Sequence, residues 1–282
     1  YLRAGDRGIT VLEGIQHCDD LVLLSLERNQ ISDISALSGL IGLTTLSLND
    51  NELIDVTALS DLTNLEWLDL SGNQVFDIQA LSGLTNLIEL TLYDNEIVDI
   101  RALSGLRNLT RLELYMNQVF DIQALSGLTN LTRLELFGNQ IGDIDALLSL
   151  TNLTKLSLFG NQIRDISVLF GLTKLTWLQL RSNQIRDIHP LSGLVNLTKL
   201  GLGSNQISDI NALLDLTKLT ELELYNNEIV DIQALVDNVG LDAGDLVRIH
   251  GNYLDLTPGS DSMLDIEALE VRGVNVSFDP QN

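Results

Sequence analysis

The chain has 282 residues, 45% hydrophobic and 20% charged, which is enough apolar side chain for a sizeable core and too much for wholesale disorder. Acidic residues number 39 against 16 basic ones, and the resulting formal charge of −23 repels phosphate backbones and argues against a nucleic-acid partner. One cysteine excludes an intrachain disulfide, and with only three histidines no Cys/His-rich zinc site is expected, nor any cofactor. No apolar run reaches the roughly 18 residues of a membrane span, so no membrane insertion is expected.

Residues 1–20 read as an N-terminal cap with half a repeat. Ile9, Leu12 and Ile15 carry the apolar register of Ile31, Ile34 and Leu37 one period later. Arg7 and Val11 stand where the repeat has Asn and Asp, as expected of a terminal turn with a neighbour on one side only. Cys18 falls in the column of Leu40, which predicts a small buried core residue. Tyr1 without an initiator Met suggests a processed or trimmed chain, and no secretory leader is visible.

Residues 21–256 are periodic. Asn29, Asn51, Asn73, Asn95, Asn117, Asn139, Asn161, Asn183, Asn205 and Asn227 recur every 22 residues, and Asn252 follows after 25. Four positions beyond each of the first ten lies an aspartate, from Asp33 to Asp231. The apolar pattern around them, as in Leu21, Leu24, Leu26, Asn29, Ile31, Ile34, Leu37 and Leu40, mixes two periods. Alternation of Leu24 and Leu26 about Ser25 predicts a strand of about three residues. The three-residue spacing through Asp33–Leu37 predicts a short 3₁₀ turn. Strands therefore stack into a parallel sheet with the tighter turns opposite, and the unequal widths of the two sides predict a curved stack. Roughly 70 inward side chains, each contributing about 1.5–3 kcal/mol, offset the conformational entropy of so long a chain.

Residues 257–282 read as a C-terminal cap. Three residues are inserted through Asp237–Asp245, and Val247 and Ile249 form a last repeat strand. After the turn cluster Thr257–Ser260, Asp261–Val271 is predicted as an amphipathic helix with Met263, Leu264, Ala268 and Leu269 on a common side and Gly273 as its stop. Val274–Phe278 is predicted as a final strand. A loop-borne site using Asp255 and Asp261 is the alternative use of this end.

These repeats resemble the leucine-rich repeat family. Their 22-residue length, with phrases such as Leu-Thr-Asn-Leu-Thr at 128–132 and Asn-Gln-Ile-Arg-Asp-Ile at 161–166, is similar to the bacterial internalin-like class over about residues 9–256. The resemblance implies an α/β repeat solenoid. Its form is a curved right-handed coil with a parallel β-sheet on the concave face, 3₁₀ or short turns on the convex face, and caps at both ends. It further implies an extracellular protein on the bacterial cell surface or secreted, with adhesion as one use. A cytoplasmic regulatory scaffold, like the eukaryotic phosphatase-binding members, is the alternative.

The two polar ladders have structural explanations. An asparagine at a tight corner offers donors and an acceptor to backbone groups that the turn leaves unpaired, so Asn139→Ala should cost several kcal/mol. Each aspartate precedes a helical turn and can accept from its free N–H groups as an N-cap. Calcium along that row is the alternative, though regular stacking gives each ion few further oxygens. Sequons such as Asn108-Leu-Thr and Asn130-Leu-Thr arise from the repeat consensus itself.

No catalytic constellation is evident. His17, His189 and His250 are separated by many repeats, and no H-E-x-x-H, P-loop or G-x-S-x-G occurs, so the chain is expected to be a non-enzymatic binding module. Residues six, four and two before each Asn alternate with the leucines and point outward. Two before Asn stand Tyr93, Tyr115, Phe137, Phe159, Arg181, Gly203 and Tyr225; six before stand Trp67, Glu89, Arg111, Arg133, Lys155, Trp177, Lys199 and Glu221. Between them lie Asp69, Thr91, Glu113, Glu135, Ser157, Gln179 and Glu223. Seven of the 13 aromatics thus fall on one outward face, and exposed aromatics interleaved with charges mark recognition surfaces.

The concave face is therefore predicted to bind a protein partner. Tyr93, Tyr115, Phe137 and Phe159 are its anchors, ringed by Trp67, Trp177, Arg111, Arg133, Lys155, Arg181 and Tyr225. Two other readings fit the same residues: rings that stack across strands for stability in a structural spacer, and a platform for sugar rings in a glycan-binding protein. Arg111 and Arg133 can pair with Glu113 and Glu135, which as an exposed network is worth little. Phe76 and Phe120, three beyond their Asn, form a smaller patch on the flank.

Overall fold

A computed structural model describes residues 1–281, in two compact units, Tyr1–Ile141 and Gly142–Asn282. In the first unit the strands are β1 (Leu2–Arg3), β2 (Leu23–Ser25), β3 (Thr45–Ser47), β4 (Trp67–Asp69), β5 (Glu89–Thr91), β6 (Arg111–Glu113) and β7 (Arg133–Glu135). They pair in parallel in chain order, so Leu24, Leu46, Leu68, Leu90, Leu112 and Leu134 lie in register and are fully buried. Short 3₁₀ turns such as Ser35–Leu37 and Gln79–Gly83 alternate with the strands, as the two apolar periods predict.

The corner after each strand explains the asparagines. The residue before each ladder Asn is left-handed, with φ 53° at Arg28, 54° at Asp50, 62° at Gly72, 54° at Asp94 and Met116, and 66° at Gly138. Such backbone costs most L residues roughly 1–2 kcal/mol and is visited routinely only by Gly, with Asn and Asp next, so Asp and Gly dominate this column. The Asn side chain then bridges two repeats. Asn73 Oδ1 accepts from Leu53 N at 3.0 Å, while its Nδ2 donates to Leu70 O at 2.9 Å and to Leu48 O of the preceding repeat at 3.0 Å.

The aspartates accept from the free N–H at the start of each turn, as expected, but from one residue ahead of the cap position. Ile34 holds the cap position of its turn and makes no side-chain bond there. Asp33 lies one residue earlier and closes an Asx turn, its Oδ1 accepting from Ser35 N at 2.8 Å. The same bond recurs from Asp55 to Thr57, Asp99 to Arg101 and, in the second unit, Asp165 to Ser167. The Ser35 backbone bond holds the Asp33 carboxyl below its ordinary pKa, and the Arg101 guanidinium does so for Asp99.

The N-terminal segment holds more than the half repeat read from its sequence, because β1 pairs with β2 and Asp6 is left-handed at φ 55° like the later corners. Arg7 N and Ile9 N both donate to Asn29 Oδ1 at 3.0 Å, closing the first corner without an asparagine of its own. Cys18 is exposed, not a core residue. Leu40 lies between rows on both sides, whereas no described turn precedes the row of Cys18, whose backbone closes the short turn Ile15–His17.

In the second unit β8 (Lys155–Ser157), β9 (Trp177–Gln179), β10 (Lys199–Gly201), β11 (Glu221–Glu223), β12 (Leu246–Arg248) and β13 (Asn275–Ser277) again pair in parallel in chain order. A short helix, α1 (Gln233–Asp237), stands where earlier repeats carry a 3₁₀ turn and leads into the insertion, and the longer α2 spans Asp261–Val271 as predicted. The buried face of α2 is Ser262, Ile266 and Leu269, whereas Leu264 is 53% exposed. Spacings of four and three residues keep 262, 266 and 269 on one stripe, and 264 lies about 200° from 262. Arg272 ties α2 to α1, its Nη1 donating to Val236 O at 3.0 Å and its Nη2 to Leu235 O at 3.1 Å. Asp255 is committed to a local turn, accepting from Thr257 N at 2.9 Å, and Asp261 opens α2.

Candidate functional site

Each three-residue strand from β2 to β11 points its central leucine inward, so its two flanking side chains, and the residue two beyond the strand, face out. In the first unit this brings Tyr93, Tyr115 and Phe137 into one stack. Ring centroids are 4.3 Å apart for Tyr93 and Tyr115, at 7°, and 4.1 Å for Tyr115 and Phe137, at 12°. The separation is close to the spacing of paired strands, about 4.8 Å, so the repeat itself sets the stacking distance. The rings are half-buried, with their flat faces against one another and their edges outward. Burial raises the Tyr115 phenol above its ordinary pKa, and Tyr93 beside it adds to the shift.

The column next to the rings differs from its sequence reading. Thr91 and Glu113 are buried, Glu113 at 6% exposure. Arg111 donates to Glu113 Oε1 through Nε at 2.9 Å and Nη2 at 2.6 Å, and Arg133 Nη2 lies 3.5 Å from the same oxygen. Arg133 also donates through Nε to Glu135 at 2.8 Å, and Glu89 approaches Arg111 at 3.8 Å. The pairing foreseen from the sequence is present, but it closes over a buried carboxylate and is not an exposed network. The long Arg side chains cross from their own column and roof the shorter one beside it.

Asp69, one strand before Thr91, has no such cation among the described residues. Its Oδ1 accepts from Ser71 N at 2.9 Å and Ser71 Oγ at 2.6 Å, yet burial raises its pKa. A raised carboxyl contributes stability that is full below the unfolded-state pKa and lost as pH rises through the folded one. Asp69→Asn keeps the acceptor and removes the charge. We expect it to raise the melting temperature at pH 7, and the gain over wild type to shrink in melts at pH 4.

In the second unit Arg181 lies over the Phe159 ring, 5.0 Å from its centroid, and Tyr225 stacks on His250 at 5.1 Å and 3°. Trp177 stands in register with Lys155 on one side and Lys199 on the other. Beneath them Glu223 is buried and receives Arg248 Nη1 at 2.8 Å, with Arg181 Nη1 3.3 Å from its other oxygen. Gly201 and Gly203 leave the space that neighbouring side chains fill here. A Cβ on Gly201 would strike the Gln179 carboxamide, and one on Gly203 would lie 2.5 Å from the Tyr225 ring. Gln179 Oε1, Arg181 Nε and Glu223 Oε2 are buried without a hydrogen-bond partner among the described residues. Sequence reasoning named Arg181 and Tyr225 and missed the roles of Glu223, Arg248 and the two glycines; adjacent outward glycines in one repeat were the available signal.

Within the first unit the predicted anchors Tyr93, Tyr115 and Phe137 share one stack, and within the second Arg181 lies over Phe159, Tyr225 stacks on His250 and Trp177 stands in register with two lysines. Trp67 opens β4, in register with Glu89. Among the described residues no helix is long and apolar enough to cross a membrane, and no group of three or more His, Cys, Asp or Glu is arranged to hold a metal ion.

Family descriptions of leucine-rich repeats match residues 19–75, 129–171, 173–215 and 195–237. No curated protein matches the chain significantly. Among solved structures, an internalin (InlF) from Listeria monocytogenes is 35% identical with a TM-score of 0.92, over 99% of this chain and 82% of that one. Internalin C2 of the same organism is 36% identical with a TM-score of 0.62, over 71% and 84%. A leucine-rich repeat protein of Leptospira interrogans is 26% identical with a TM-score of 0.81, over 94% and 69%. Such repeats generally serve as protein-binding modules and not as enzymes. With the ladders, the left-handed corners and these likenesses in hand, the chain belongs to the leucine-rich repeat family, in its internalin-like branch.

Proposed function

We propose that the outward sheet face binds a protein partner, with the Tyr93–Tyr115–Phe137 stack as its principal anchor. The observation that carries this is three half-exposed rings held edge-out by their neighbours. Ordering costs are then met before docking, and large rigid aromatics are the residues that dominate interface energies. In the second unit Phe159, Arg181, Trp177, Lys155 and Tyr225 present a face of the same chemistry. The likeness to Listeria internalins supports placement outside the cell or on a bacterial surface, with adhesion as the use.

The stack also weighs against a sugar platform, because both faces of Tyr115 are covered by Tyr93 and Phe137, and a sugar ring needs an open face. The test is crosslinking capture of proteins from host or neighbouring-cell surfaces. A specific capture by wild type that falls about 30-fold or more in Tyr115→Ala/Phe137→Ala, equivalent to roughly 2 kcal/mol, supports the reading. Capture unchanged in that variant rejects it and leaves a spacer.

A further inference from the structure

The flank of the first unit carries a second surface. Ile54, Phe76, Val98 and Phe120 occupy the same position, three beyond the ladder Asn, in four consecutive repeats, and are between 41% and 59% exposed. Nothing in the repeat requires this. The inward columns are already filled by Leu and Ile, and the same position is Ser32 one repeat earlier and Gly142, Arg164, Arg186 and Ser208 in the second unit, with a single exposed Val230 beyond them. Isolated exposed apolar residues need no explanation, whereas a continuous row of them does. Beside the row run grooves of about 630 Å³ between Ile54 and Phe76 and about 730 Å³ between Val98 and Phe120.

The rim is acidic. Asp55, Asp77, Asp99 and Asp121 each follow one stripe residue and line the same grooves. Each uses Oδ1 for its Asx turn. Oδ2 of Asp99 is taken by Arg101, at 2.5 Å, and among the described residues Asp55, Asp77 and Asp121 form no ion pair.

We propose that this stripe docks a cationic amphipathic helix of a protein partner. The strands that lead into these rows stand about 4.8 Å apart, and a helix presents one apolar side chain per turn of about 5.4 Å. A helix laid along the stripe therefore meets successive rows, while Lys or Arg on its flanks reaches the free aspartate oxygens. A second copy of this chain is disfavoured as occupant because it would set one acidic rim against another in a protein of charge −23. Anionic lipid is repelled for the same reason. The surface is separate from the sheet face and does not depend on the function proposed there.

The test uses a fluorescent Leu/Lys peptide of about 18 residues, long enough to form a helix, with its leucines on one face. An isomer of the same composition with scattered leucines is the control. By fluorescence anisotropy at physiological salt, the amphipathic peptide should bind wild type at least tenfold more tightly than its isomer does. Phe76→Ser/Phe120→Ser should weaken binding about tenfold or more, with an unchanged melting temperature because both rings are exposed. Asp77→Asn/Asp121→Asn, which keeps the Oδ1 acceptors, should weaken it several-fold, and Tyr115→Ala should leave it unchanged. Equal binding of the isomer, full binding by the phenylalanine variant, or loss in Tyr115→Ala would overturn the proposal. So would concentration-dependent self-association of wild type that Phe76→Ser/Phe120→Ser abolishes, which would make the occupant a second copy.

Discussion

Asn139→Ala should lower the free energy of unfolding by about 3–5 kcal/mol in urea titrations. The carboxamide accepts from Val119 N at 2.9 Å and donates to Leu114 O and Leu136 O at 3.0 Å. Removing it strands one buried donor and two buried acceptors, and a buried group left unpaired costs about 1–3 kcal/mol. Asn139→Asp should be no better, since its second oxygen would face two carbonyls where a donor is needed. Because repeats contact only their neighbours, the loss falls first on the turns that Asn139 joins. A neutral alanine variant would mean that water reaches the corner and that the ladder is not what fastens adjacent turns.

Leu112→Ala should cost about 2–5 kcal/mol, as deletion of a fully buried leucine from a close-packed core generally does. Tyr115, three residues on in the same repeat, should behave differently. Its ring edge is exposed and its stability contribution comes from two stacked neighbours at about 0.5–1.5 kcal/mol each, so Tyr115→Ala should cost about 1–3 kcal/mol. Partner capture should reverse the order. At a temperature where both variants remain folded, Leu112→Ala keeps the outward face and Tyr115→Ala loses its centre. Equal losses of stability at the two positions, read from thermal melts, would place Tyr115 in the framework and remove it as an anchor.

Much of this protein is set locally. Alternation about Ser25 fixes a short strand, the spacing through Ile34 and Leu37 fixes a 3₁₀ turn, and the 22-residue identity of successive turns fixes their parallel register. The helix Asp261–Val271 is legible for the same reason, with Ser260 ahead of it accepting from Met263 N and Gly273 beyond it. The aspartate reading missed by one residue, because a carboxylate that caps a turn and one that closes an Asx turn look alike in sequence.

The outward face was legible as a set of residues but not as a surface. Periodicity determines which way each Cα–Cβ bond points, and so which residues leave the core. It does not determine what covers them afterwards. Glu113 is buried because Arg111 and Arg133, from its own strand and the next, close over it; Tyr115 loses both ring faces to neighbours one period away on either side; Gln179 and Tyr225 occupy the space that Gly201 and Gly203 leave. Cys18 shows the same effect, because no described turn precedes its row to cover the side chain. Backbone direction is a property of a few consecutive residues, whereas exposure depends on the reach of side chains about 22 positions apart that only stacking brings within contact.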